Sequence, residues 1–113
     1  MNKLDKFEEF RQRMNNTILE SGNLEINRFF ALDHKAYEDG LLPKKIKELL
    51  GLAASMVLRC DDCIAYHIIQ SKKTGITNEE LFEAFSIALI VGGSIIIPHL
   101  RRAVDLLEEL DKK

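Results

Sequence analysis

The chain is 113 residues long, 46% apolar and 30% charged, and its 16 basic and 18 acidic side chains leave a net charge of −2. This balance excludes a disordered chain and supplies no basic field for nucleic acid or an anionic membrane, while two cysteines cannot build a secreted disulfide scaffold. The N-terminal stretch MNKLDKFEEFRQRMNN is dense in charge and lacks the apolar core of a signal peptide, so one cytoplasmic domain over 1–113 is expected, with 1–42 as N-terminal helices and 43–113 as its core.

Glycine and proline punctuate the chain at Gly22, Gly40, Pro43, Gly75, Gly92, Gly93 and Pro98, and the intervals between them suit helices. None shows sustained apolar–polar alternation, so no strand is predicted. Leu4, Phe7, Phe10, Met14 and Ile18 recur at helical spacing over residues 3–20. Asn23 is placed to cap a second helix carrying Leu24, Phe29, Phe30 and Leu32 toward Tyr37. Aromatics at this spacing are read as packing residues before they are read as a substrate pocket. Pro43 suits the opening turn of a third helix, where its missing N–H is not needed. That helix continues as LLGLAASMVL over 49–58, apolar on nearly every face, and is expected to be central.

A fourth helix starts near Cys60 and ends at Gly75, a residue suited to a left-handed cap. Thr77 with Glu80 has the form of a capping box opening a fifth helix through Leu81, Phe82, Phe85 and Leu89. The apolar run 84–97 is too short for the roughly 20 residues of a membrane span and is broken by Gly92-Gly93. Burial in a core or between subunits is expected for it. The last helix, over 98–110, carries a stripe of Leu100, Ala103, Val104, Leu107 and Leu110. The expected fold is all-α, with about six helices.

Chemistry concentrates in the run Cys60-Asp61-Asp62-Cys63-Ile64-Ala65-Tyr66-His67. Side chains three apart on a helix have Cβ atoms about 5–6 Å apart, and a disulfide needs about 3.5–4.5 Å, so a small adjustment closes the pair. A helix start favours a thiolate, through its unpaired N–H groups and its macrodipole. His67 follows Cys63 by four residues and shares its face, placed to take a thiol proton directly or through a water. Glu48 is the sole acid between Asp39 and Asp61. If the third and fourth helices form an antiparallel hairpin turning near Arg59, Glu48 lies roughly 16 Å below the turn, His67 roughly 12 Å and Cys63 about 6 Å. Glu48 then approaches His67 rather than the thiols, and the implied order is carboxylate, imidazole, thiol.

A glutamate twelve positions before Cys-x-x-Cys-x-x-x-His in a small helical chain resembles the alkyl hydroperoxidase D-like group of the carboxymuconolactone decarboxylase family. The resemblance spans roughly 43–110, including the helix start TNEELFEA and the apolar stretch after it. It implies a thiol peroxidase in which Cys63 attacks the peroxide, Cys60 resolves the sulfenic acid as a disulfide, and Glu48 and His67 form a proton relay. It further implies a hydroperoxide substrate, an external dithiol reductant of lipoyl or thioredoxin type, and a homotrimer or homohexamer. No metal, flavin or haem is implied. Asp62 stands where the characterised peroxidase branch has a histidine, and a carboxylate there opposes the thiolate. The decarboxylase branch uses no cysteine pair.

Other readings of the same residues are open. The cysteines are inert core residues in one. In another, Cys60, Cys63 and His67 bind zinc, with His99 or His34 as fourth ligand, in a non-enzymatic helical assembly. A lyase is a third. Asp61 and Asp62 are most simply helix caps, Tyr66 a packing residue on another face, His99 a surface or interface residue, and Lys44, Lys45, Lys47, Arg101 and Arg102 solvated faces or subunit salt bridges.

Overall fold

A computed structural model describes residues 2–113, which form six α-helices: α1 (Lys3–Glu20), α2 (Leu24–Ala36), α3 (Lys44–Val57), α4 (Asp61–Lys73), α5 (Asn78–Gly92) and α6 (Ile97–Asp111). A 3-10 turn, Ser94–Ile96, leads into α6, and there is no strand among the described residues. No helix in this range is long and apolar enough to cross a membrane. Contacts divide the chain into two units, Met1–Glu38 and Asp39–Lys113.

In the first unit α1 and α2 form a helical pair. Asn2 Oδ1 accepts the Asp5 N–H at 2.8 Å and Asn23 Oδ1 the Ile26 N–H at 3.0 Å, so each helix starts on an asparagine cap. Between them Gly22 has φ +77°, a region open to glycine at little cost.

The second unit holds the core. α3 packs on both α4 and α5, and α4 also packs on α6. Leu52 and Met56 of α3, Ile64 and Ile68 of α4, Leu81, Phe85 and Ala88 of α5, and Ala103 and Leu107 of α6 are all buried in one cluster. At about 1.5–3 kcal/mol for each large apolar side chain taken out of water, this cluster is the main force holding the hairpin in place.

Pro43 lies one position earlier than the opening turn: it is the N-cap of α3, and the Asp39 carboxylate accepts the Lys44 N–H at 2.6 Å. α4 ends as anticipated, with Gly75 at φ +91°. Gly75 N–H bonds the Lys72 carbonyl and Ile76 N–H the Ser71 carbonyl, both at 3.1 Å, which is a Schellman motif. α4 and α6 run side by side in the same direction: Asp61 meets His99 and Arg102 at one end, and Lys72 meets Asp111 at the other. At Gly92 an added Cβ would come within 2.5 Å of Ile96, which is wholly buried, so the close approach of the 3-10 turn to α5 requires glycine there.

The apolar continuity of 49–58 and 84–97 does not translate into burial on every face. Leu50 and Leu58 are exposed, as are Ile87, Ile90, Val91 and Ile95, because each helix has neighbours within the unit on only part of its circumference.

The capping box on α5 is complete, with Glu80 N–H on Thr77 Oγ1 at 3.1 Å and Thr77 N–H on Glu80 Oε1 at 2.8 Å. The Thr77 N–H holds the Glu80 carboxyl below its ordinary value of 4.5. The Asn78 amide, with Lys72, does the same for Asp111 relative to 3.8. A carboxyl lowered on folding adds stability that is present above its unfolded value and is lost as pH falls through the folded one. The melting temperature should therefore drop on acidification below about pH 4.5, and Glu80→Gln, which removes the titrating carboxyl, should flatten that drop. Thermal melts of both proteins across the acid range test this; parallel curves would contradict it.

Candidate active site

The site is built on the connection between α3 and α4. Arg59 N–H bonds the Met56 carbonyl and Cys60 N–H the Ser55 carbonyl, both at 3.0 Å, a second Schellman motif. Its left-handed position is filled by Arg59 at φ +61°, where glycine is usual. The reversal delivers Cys60 directly to the N-cap of α4, with its Sγ accepting the Cys63 N–H at 3.3 Å. One residue thus ends one helix and opens the next. Arg59→Gly should raise stability by about 0.5–1 kcal/mol and Arg59→Val should lower it, because a β-branched side chain clashes in this region. Denaturant midpoints measure both; a destabilised glycine variant would contradict the strain argument.

Cys60 and Cys63 are joined sulfur to sulfur, with Cα atoms 5.3 Å apart, inside the usual span for a disulfide. Cys63 is exposed and Cys60 half-buried. The first turn of α4 therefore carries one exposed and one half-buried cysteine.

Four residues below Cys63, His67 turns inward and is 8% exposed. Its Nδ1 lies 2.8 Å from Oε1 of Glu48, across the hairpin. Glu48 is wholly buried, and its second oxygen accepts from Lys44 Nζ at 3.1 Å. A carboxylate offers only acceptors, so the ring hydrogen resides on Nδ1 and Nε2 becomes the acceptor of the neutral imidazole. A buried carboxylate needs partners on both oxygens to offset its desolvation, and His67 and Lys44 provide them. The Tyr66 ring stands edge-on to His67, centroids 5.3 Å apart at 71°, so it packs on the imidazole rather than away from it.

A second imidazole–carboxylate pair borders the cysteines. Asp61, at the first position of α4, takes His99 Nδ1 at 2.8 Å on one oxygen and Arg102 Nη1 at 3.2 Å on the other.

The structure thus brings together Glu48 with His67, and Cys60 with Cys63, and places the second pair one turn above the histidine. Among the described residues no group of three His, Cys, Asp or Glu side chains is arranged to hold a metal ion. The zinc arrangement allowed by composition is not assembled there, and the two sulfurs are joined to each other. Lys44, expected as a solvated or interfacial charge, instead reaches the buried Glu48, and its i, i+4 spacing to that residue is the legible signal of the contact. The Asp61–His99–Arg102 set joins residues 38 and 41 apart, and no local spacing announces it.

The sequence model of the carboxymuconolactone decarboxylase family matches residues 26–106. Over 83 residues the chain is 32% identical to uncharacterised protein 4 of the cox locus of Paracoccus denitrificans, covering 74% of this chain and 75% of that protein. Two crystal structures of one Thermotoga maritima protein superpose with TM-scores of 0.92 and 0.91, at 56% and 55% identity. Each covers 95% of this chain, and 94% and 91% of the respective matched chains. One of them is described as a carboxymuconolactone decarboxylase family protein with a possible involvement in antioxidative response. A Legionella pneumophila protein of the same family superposes with a TM-score of 0.87 at 27% identity, covering 96% of this chain and 97% of its own.

Proposed function

The chain belongs to the carboxymuconolactone decarboxylase family, and from that premise we propose that it is a thiol-dependent peroxidase working through Cys60 and Cys63. The carrying observation is the Glu48–His67 hydrogen bond at 2.8 Å, one helical turn below a cysteine pair within disulfide reach. The Thermotoga protein's description points the same way.

In the reduced protein His67 takes the Cys63 thiol proton, and Glu48 stabilises the imidazolium that forms. The Cys63 thiolate attacks the nearer oxygen of a hydroperoxide. The O–O bond breaks, Cys63 becomes a sulfenic acid, and the departing alkoxide takes the proton from His67 and leaves as an alcohol. The Cys60 thiol then attacks the Cys63 sulfur, water leaves, and the disulfide closes. An external dithiol opens it by exchange, itself becoming a disulfide, and returns both electrons and both protons to the pair. Exposure of Cys63 and partial burial of Cys60 favour Cys63 as the sulfur that meets the peroxide. A reducing cytoplasm suits the cycle because thiol donors there restore the dithiol. The deciding assay is steady-state peroxide consumption with lipoyl and thioredoxin-type donors. No consumption with any of them would sink the reading.

Self-association as a homotrimer or homohexamer accompanies this proposal. Ile90 is 83% and Val91 69% exposed on α5, with Ile87 and Ile95 also open, an apolar patch of the kind that marks an interface. Ile90→Asp should convert the assembly to monomer by light scattering without lowering the helical content, since this side chain contributes little to the fold of one chain. A wild-type protein that is already monomeric would refute the association.

A further inference from the structure

Asp61 lies between the two cysteines in the chain, and its carboxylate, left alone, would oppose any thiolate beside it. It is not left alone. One oxygen is on His99 Nδ1 at 2.8 Å and the other on Arg102 Nη1 at 3.2 Å, both from the first turns of α6. Its neighbour Asp62 is exposed and makes no ion pair among the described residues. Two acids of the same turn are thus treated differently.

We propose that His99 and Arg102 are positioning residues for the dithiol: they hold the Asp61 carboxylate against α6 and offset its charge, so that the Cys60 and Cys63 thiolates form near neutral pH. This rests on the reading of the two cysteines as a redox pair. The other charged residues on or beside this turn are Asp62 and Arg59, with His67 one turn below Cys63, and Glu48 and Lys44 of α3 are linked to it through His67. Of these, Lys44 is engaged by Glu48, which in turn is engaged by His67. The Arg102 guanidinium carries a permanent charge, and the His99 N–H fixes the other oxygen in place. The link also ties the turn bearing both cysteines to a second helix. A purely mechanical brace would make the same contacts, so the test must read charge.

The experiment uses the full chain, reduced, and follows alkylation of each cysteine by iodoacetamide across pH. In this reaction a thiolate sulfur displaces iodide, and no peroxide turnover is required. His99→Ala with Arg102→Ala should move the alkylation profile to higher pH and slow the reaction about threefold on its acidic limb. Arg102→Gln, a milder change at an exposed position, should shift it in the same direction, and Arg102→Lys should not. Adding Asp61→Asn to the double variant should bring the profile back, because the charge needing compensation is gone. An unchanged profile with only a lower melting temperature would overturn the proposal, and so would failure of Asp61→Asn to restore it. Loss of peroxide consumption is a separate readout: a shifted profile in a protein that consumes no peroxide would fault the peroxidase reading and leave this one standing.

Discussion

Cys63→Ser is expected to lower peroxide consumption by at least about a thousandfold, the scale on which removal of a covalent nucleophile acts. A serine hydroxyl stays protonated beside the same imidazole and has no sulfur to oxidise, so neither the first step nor the disulfide is available. Cys60→Ser should behave differently. Cys63 can still be oxidised, and about one equivalent of peroxide should be consumed with a trappable sulfenic acid left behind, but steady turnover should stop because nothing resolves it. The contrast between the two variants is the informative measurement. Failure of Cys60→Ser to consume its single equivalent and form a sulfenic acid, or full activity in Cys63→Ser, would remove the dithiol from the reaction and reopen the lyase reading.

His67→Ala should cost about a hundredfold or more in rate, the usual effect of deleting a general base. Glu48→Gln should cost about tenfold to a hundredfold, since the amide keeps the shape and one hydrogen bond but no longer stabilises an imidazolium. Both variants should still close the Cys60–Cys63 disulfide under a strong oxidant, because the sulfurs are brought together by the N-cap geometry of α4 rather than by the relay. Glu48→Ala should be worse than Glu48→Gln for stability: it strips Lys44 and His67 of their shared partner inside the hairpin. Single-turnover oxidation followed at several pH values separates the relay from the pair. A His67→Ala protein with the wild-type rate would end the relay as an explanation.

Helical phasing made much of the core legible in advance. Leu81 and Phe85 on α5, and Ala103 and Leu107 on α6, are buried as their spacing requires. The Thr77–Glu80 box and Gly75 mark helix ends because capping depends on a few adjacent residues, and such signals survive without tertiary information. The stripe on α1 is different. Leu4 is buried, but Phe10 is exposed, so periodicity identified a helix without identifying what covers each position. The same is true of Ile90 and Val91, where apolar character is a property of the residue and burial a property of its neighbours.

At the site, Glu48 and His67 could be paired from the chain alone because one short turn joins two helices of known rise, so depth below the turn becomes arithmetic. The carboxylate, the imidazole and the two thiols, and the hairpin that aligns them, follow from residue order and spacing. The left-handed backbone at Arg59 and the clasp from α6 onto Asp61 were visible only in the tertiary structure, whereas the Lys44 contact to the second Glu48 oxygen is an i, i+4 pair within α3. The clasp has a physical reason: a charged carboxylate takes whichever partner the packed helices carry past it. Lys44 was within reach by spacing, but His99 and Arg102 arrive at Asp61 only after α6 has packed beside α4.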